Sequence, residues 1–471
     1  MNEPTTAPSA AQFILDAAVD LGRPRGGVAP TRDLGHLPGD GGTVAGIRNA
    51  FGMLRRGAAH SAAQVARYGR VHRTQLGPHP VVALADPELV LRMLRNEDRV
   101  WSSALAWRAL FGEMDDRNAT VDAPGQLDFE PHREARALLQ PAFGAAATAR
   151  YLELAAPRFE EAIESWMARG HVEFKGAIRR VLAGVSSRIF MGADDPAEAA
   201  LFEREIAAIW AAPLALVRHR WLSPTWRRGV TANRHLCETF AARVAERRAR
   251  GGPDLFSRMC TEERTASWID DAALVRIYVG LVLASFDTTS SALASMGYLL
   301  AKHPAWQDRL REEARTVKGR PSYDDVKRFE LGSRVWNETL RLYPVAPFVP
   351  RRALRDVDLG GHRIPAGALV HANIDAMMRD PSVWTRPETF DPERFGPDRA
   401  EDRRTKGSFL PFGSGVHACI GLSLAGAEAL AFWHAMLTRC RFRLEPDRDA
   451  AHGYHPMGMV RGPVRFAIER V

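Results

Sequence analysis

The chain has 471 residues, 46% hydrophobic and 25% charged: enough apolar material for a large buried core, and too little charge for a disordered chain. A formal net charge of +8 and a pI near 9.6 suit an anionic surface or an acidic protein partner, but no dense Lys/Arg tract marks the chain for nucleic acid. Four cysteines, Cys237, Cys260, Cys419 and Cys440, without a C-x-x-C pair, exclude a disulfide framework and fit a reducing compartment.

Residues 1–45 read as an irregular lead-in with one short helix, since Gly and Pro crowd residues 22–27 and 37–42. The start, Met1-Asn2-Glu3-Pro4, lacks the basic and apolar runs of a signal peptide, and Asp16 and Asp20 interrupt the apolar stretch 13–21. That stretch is far below the ~20 residues needed to span a bilayer. A cytoplasmic chain without a transmembrane anchor is expected, with one domain over 46–471.

Val71 to Ala85 reads as a strand pair turning at Gly77-Pro78-His79. Asp86-Pro87-Glu88 opens a helix through Leu94, with Asp as cap and Pro at the first helical position. From Phe143 to about His303 the pattern is helical, with breaks near Met191-Gly192, Pro213, Ser223-Pro224 and Gly251-Gly252-Pro253. The longest helix is predicted from about Asp270 to Lys302, roughly 45–50 Å. Its acidic start and basic end match the helix dipole. Leu274, Ile277, Val279, Leu281, Val282 and Leu283 make it apolar nearly all round, which places it at the centre of a large protein. Beyond residue 350 come a hairpin over 357–364, a strand at 368–372, a loop-rich segment from Arg379 to Lys406, a Gly-rich loop and a last helix from about Cys419. The predicted class is mainly α with a small β portion.

The segment Phe412-Gly413-Ser414-Gly415-Val416-His417-Ala418-Cys419-Ile420-Gly421 has the chemistry of a soft metal ligand. A ligating thiolate needs a pKa below the usual value of about 8.5. A cysteine opening a helix gains from the positive end of its dipole. Gly415 and Gly421 let backbone approach a flat ligand and turn N–H groups toward the sulfur. The spacing of Phe412, Gly415, His417, Cys419 and Gly421 resembles the haem-binding loop of the cytochrome P450 family, a family known for Cys-thiolate haem ligation.

Further segments resemble that family in the expected order. Glu338 and Arg341, one helical turn apart, together with Arg394 match its buried Glu–Arg–Arg cluster, which pins the loop-rich segment behind the haem. His132 and Arg136, again one turn apart, match its H-x-x-x-R pair for the haem propionates. Arg351 aligns with the other propionate arginine, with its neighbour Arg352 as the alternative register, and His417 is a third basic candidate. Ala284-Ser285-Phe286-Asp287-Thr288-Thr289 resembles the oxygen-activation motif, so Ala284 is expected beside the haem. Thr288 is then expected to hold dioxygen and its waters, with Asp287 relaying protons. The bland reading of Thr288 is a hydroxyl bonded to the carbonyl four residues back. Ser285 departs from the family's usual Gly, which helps the helix bulge over the haem; a hydroxyl that disturbs the ladder could serve the same end.

The resemblance implies a P450-like fold with haem b between the long helix and the Cys419 loop. It implies a monomeric monooxygenase acting on an apolar small molecule. No flavin, nicotinamide or iron–sulfur motif occurs in the sequence, so electrons are expected from a ferredoxin or other separate reductase, docked on Arg133, Arg403, Arg404 and Lys406. A peroxide-driven peroxygenase and a non-catalytic haem-binding protein of the same fold are the alternatives; the Asp287–Thr288 pair argues against both. Candidate pocket walls are residues 101–114, 209–216, 345–349 and 454–460, with Trp107, Phe111, Phe286, Met457 and Met459 as apolar lining.

Overall fold

The computed structural model describes residues 28–31, 33–76, 79–111, 123–193, 195–215, 221–262, 266–447, 449–454 and 457–471. The predicted helix in the lead-in lies outside them. Helices of eight residues or more run in chain order: α1 Thr43–Arg56, α2 Ala58–Tyr68, α3 Pro87–Arg95, α4 Ala104–Phe111, α5 Phe129–Leu139, α6 Ala145–Arg169, α7 Phe174–Ser186, α8 Pro196–Ala211, α9 Pro224–Arg250, α10 Asp271–Lys302, α11 Pro304–Ala314, α12 Glu330–Leu342 and α13 Leu422–Leu437. The strands are β1 Val71–Leu76, β2 His79–Leu84, β3 Trp101–Ser102, β4 His171–Glu173, β5 Phe348–Ala353, β6 Val357–Leu359, β7 His362–Ile364, β8 Leu369–Asn373, β9 Cys440–Leu444, β10 His452–Tyr454, β11 Gly458–Val460 and β12 Arg465–Arg470. The class is mainly α with small sheets, as the sequence predicts.

α10 is the axis. The Asp270 side chain accepts the Ala273 N–H at 2.7 Å and caps its start. Its apolar surface packs against α7, α9, α12 and β11. Among the described residues it is the one helix long and apolar enough to cross a membrane. Leu274, Ile277, Tyr278, Leu293, Ala294 and Leu300 are fully buried, so its hydropathy is that of a core helix. An aromatic cluster of Trp166, Phe174, Phe432, Trp433, Phe442 and Phe466 ties α6, α7, α13 and the last strands together.

The main sheet has the order β1-β2-β8-β5-β3; β2 and β8 run parallel, the other neighbours antiparallel. It holds the β5 arginines. Three differences from the sequence reading stand out. Gly170, in a left-handed conformation at φ 72°, ends α6 and lets β4 pair with β12. The last helix starts at Leu422, three residues after Cys419. The C-terminal strands β9–β12 went unpredicted although residues 440–444 alternate buried and exposed, the period of a half-buried strand.

Candidate active site

The Cys419 loop is built by backbone closure. The Cys419 N–H donates to the Phe412 carbonyl at 2.9 Å, and Ala418 N–H to Gly415 at 3.0 Å. Gly415 sits at φ 69°, and a Cβ there would lie 2.4 Å from the Leu94 carbonyl at the end of α3. The sequence therefore has glycine where loop and helix touch. Cys419 is exposed, though much protein lies around it. Burial pushes the thiol pKa up; the Gly421 N–H, the Arg136 cation and the Leu422 N–H pull the other way. The cysteine precedes α13 by three residues rather than opening it, so the Gly421 and Leu422 N–H groups and Arg136 are what would favour a thiolate here.

Around this loop gather four basic side chains from three distant segments. His132 and Arg136 come from α5, Arg351 from β5 and His417 from the loop itself. The His132 and His417 rings lie 4.0 Å apart. Arg136 Nη1 donates to the Ala418 carbonyl at 2.6 Å. Arg351 is 3% exposed and donates to the Pro350 carbonyl at 2.8 Å. Burial lowers the pKa of His132 to about 4, helped by Arg136 and Arg351. Burial, then Arg351, His132 and Arg136, push His417 down to about 2. Burial also brings Arg351 down to about 10, against a weak pull from Asp128. His417 Nδ1 is buried without a hydrogen-bond partner. Mutually repelling bases with an orphaned nitrogen fit a ligand that carries acid groups. These residues thus suit a haem with its propionates. Arg352 bonds the Gly367 carbonyl at 3.4 Å, whereas the Arg351 charge bears on both His132 and His417, so Arg351 is the arginine of this cluster.

On α10, Ala284 is exposed within a stretch whose flanks are buried. Thr288 Oγ1 donates to the Ala284 carbonyl at 2.8 Å, the bland arrangement, and Ser285 Oγ to Val282 at 2.8 Å. The helix is assigned as continuous α through this segment. Both hydroxyls satisfy existing carbonyls without breaking the ladder. Asp287 points away to Arg179 of α7, with Nε–Oδ1 at 2.6 Å, and Arg179 also binds Glu203 of α8 at 2.5 Å. Trp210 of α8 donates its indole N–H to the Leu283 carbonyl at 2.9 Å. A cavity of about 230 Å³ lies here, lined by Lys175, Arg179, Trp210, Asp287, Met457 and Met459 among others. It brings two of the predicted pocket walls together with the acid. Met114 and the side chains of Phe111 and Phe286 lie outside the described residues.

Behind the loop, Arg341 holds both Glu338 oxygens, at 2.7 and 2.9 Å, and Arg394 shares one of them at 3.0 Å. All three are fully buried. Arg394 has a second acid, Glu401, at 2.9 Å, which Arg399 also binds. Two guanidiniums against two carboxylates balance the buried charge. Sequence reading missed Glu401, Arg179 and Glu203, which carry no local signature: Arg179 and Asp287 are 108 residues apart. It also missed Glu428 of α13, buried with its pKa pushed up to about 8 by desolvation. An acid amid the apolar run 424–432 was the signal available there.

Comparison with known proteins gives a consistent result. The cytochrome P450 family profile matches residues 49–470. The chain is 32% identical over 386 residues to a Mycobacterium tuberculosis protein named putative cytochrome P450 136, covering 80% of this chain and 77% of that one. It is 30% identical to cyclooctat-9-en-7-ol 5-monooxygenase of Streptomyces melanosporofaciens, covering 90% and 95%. It is 27% identical to pentalenene oxygenase of Streptomyces avermitilis, covering 88% and 94%. Among solved structures, retinoic-acid-bound cyanobacterial CYP120A1 superposes with a TM-score of 0.79 at 22% identity, over 89% of this chain and 96% of that one.

Proposed function

This chain belongs to the cytochrome P450 family and is a monooxygenase of that type, and we propose that it oxidises an apolar small molecule at a haem b ligated by Cys419. On this reading His132, Arg136, Arg351 and His417 hold the propionates, and Phe412, Gly415 and Gly421 shape the loop under the macrocycle. Ala284 is the contact from α10. The bound haem would supply the activation of dioxygen and the insertion of one oxygen atom into substrate. The observation that carries the reading is the convergence of four basic side chains on the loop of one cysteine.

The chain's own part is ligation, proton supply and positioning. The Gly421 and Leu422 N–H groups stabilise a sulfur anion, and so does Arg136. Asp287 collects protons from water in the cavity behind α10, and Thr288 offers its hydroxyl on the other side once it leaves the Ala284 carbonyl. Met457 and Met459 give the cavity an apolar wall. Relatives named for cyclooctat-9-en-7-ol and pentalenene support a hydrocarbon-rich substrate of that kind. Electrons would come from a ferredoxin or other separate reductase. The exposed Arg133, Arg403, Arg404 and Lys406 suit an acidic partner of that sort. The test is the reduced, carbon-monoxide-treated protein. Wild type should give the red-shifted Soret band of thiolate-ligated iron and Cys419→Ala should lose it; an undiminished band in the variant would exclude Cys419 as ligand.

A further inference from the structure

Along one stretch of α10 the backbone carbonyls have more donors than a helix requires. In an α-helix each carbonyl accepts the N–H four residues on. Here Ser285 Oγ also donates to the Val282 carbonyl at 2.8 Å, Thr288 Oγ1 to Ala284 at 2.8 Å and Thr289 Oγ1 to Ser285 at 3.4 Å. Ser290 and Ser291 both donate to Asp287, at 3.1 and 2.7 Å. These hydroxyls belong to α10 itself, and such back-bonding is ordinary in helices. The Leu283 carbonyl is served differently: its added donor is the indole N–H of Trp210, 73 residues away on α8, at 2.9 Å.

α8 grips the same turn a second time. Glu203, about two helical turns before Trp210, is joined to Asp287 through Arg179. One helix thus holds a carbonyl at the start of the Leu283–Asp287 turn and a carboxylate at its end, with Ala284 between. The rest of the indole is half-buried and lines the cavity beside Met457 and Met459. Leu283 is buried. When the bond from its carbonyl to the Asp287 N–H opens, a buried acceptor without another donor is orphaned, and that desolvation opposes the opening. With the indole in place the carbonyl stays satisfied.

We propose that Trp210 is a positioning residue for the oxygen site: its indole N–H keeps the Leu283 carbonyl bonded while the turn to Asp287 opens, so that α10 loosens locally beside Ala284 at little cost. Loosening of that turn releases the Thr288 hydroxyl from the Ala284 carbonyl, the step on which its part in proton handling depends. The inference rests on the haem reading above and adds a residue that touches none of the reacting atoms. Because the same indole forms part of the cavity wall, the fit of that wall and the freedom of α10 are set by one side chain.

Hydrogen exchange of the full-length holoprotein, resolved over residues 283–289, tests this. Trp210→Phe keeps an apolar ring and removes the donor, and exchange of the Asp287 amide should slow by roughly tenfold. Trp210→His puts a ring N–H where the indole nitrogen stood and should return exchange toward the wild-type rate. Equal or faster exchange in Trp210→Phe would overturn the proposal; so would equal slowing in both variants, which would assign the effect to lost ring volume. The infrared C–O stretch of the reduced carbon monoxide complex reads whether a hydroxyl reaches the bound ligand. Trp210→Phe should lose intensity on the low-frequency side of the band, as Thr288→Ala does; a band identical to wild type would disconnect Trp210 from the oxygen site. Wild-type protein without the Soret band of thiolate-ligated iron would sink the haem reading instead, and the exchange result would stand apart from it.

Discussion

The carboxylate of Asp287 is held by a guanidinium that also grips Glu203, so Arg179 is shared between the long helix and α8. Holding both oxygens engaged positions the acid but slows its turn toward a proton acceptor. Replacing Arg179 by Gln should shift the pH dependence of turnover while the protein stays folded. Thr288→Ala should leave the helix intact and raise the electrons consumed per product formed; normal coupling in that variant would remove Thr288 from proton handling. Glu428 gives a second residue-level expectation. Its folded pKa near 8 lies above the ordinary 4.5. Below that lower value folded and unfolded chains both hold the proton. As pH rises toward about 8 only the folded chain keeps it, so this stability is lost across the window. Glu428→Gln should flatten the decline in denaturant-measured stability between about pH 5 and about pH 8, by on the order of a few kcal/mol. Neither Arg179 nor the burial of Glu428 can be read locally, because each depends on which helix faces which.

Among elements, the cysteine loop and the end of α3 are mutually fitted. Gly413 and Gly415 have nearly the same left-handed backbone, at φ 70° and 69°, but only Gly415 meets a neighbour, the Leu94 carbonyl. Gly413→Ala should cost on the order of 1 kcal/mol from backbone strain. Gly415→Ala adds a clash with backbone and should cost on the order of 3 kcal/mol or more, read as a lower melting temperature and poorer haem retention. Equal losses in the two variants would mean that the contact with α3 does not matter. The Glu338–Arg341–Arg394 cluster shows what spacing can and cannot foretell. One turn of α12 puts Glu338 and Arg341 on one face whatever the fold. That Arg394 would complete them rested on family resemblance, and its second acid, Glu401, emerged only when the loop-rich segment folded back on α12.

At the scale of the molecule, the net charge of +8 leaves several cations exposed. Arg133, Arg403, Arg404 and Lys406 are exposed; Arg133 also pairs with Glu130. Reversing these four charges should slow reduction by an acidic ferredoxin by about tenfold or more at low salt and flatten its salt dependence, measured by stopped-flow. Much of the fold was legible beforehand. The span of α10, the cap at Asp86, the β6–β7 hairpin and the β1–β2 pair follow from periodicity, capping and turn chemistry, which act over a few residues. The grouping of Phe412, Gly415, His417, Cys419 and Gly421 was legible for the same reason, because one loop carries it. Tertiary structure alone decided the rest: that Arg351 rather than Arg352 bears on His132 and His417, that Asp287 is leashed to Arg179, and that Arg136 reaches the Ala418 carbonyl beside Cys419. These outcomes depend on desolvation and on partners many residues away, and neither quantity exists until the chain has packed.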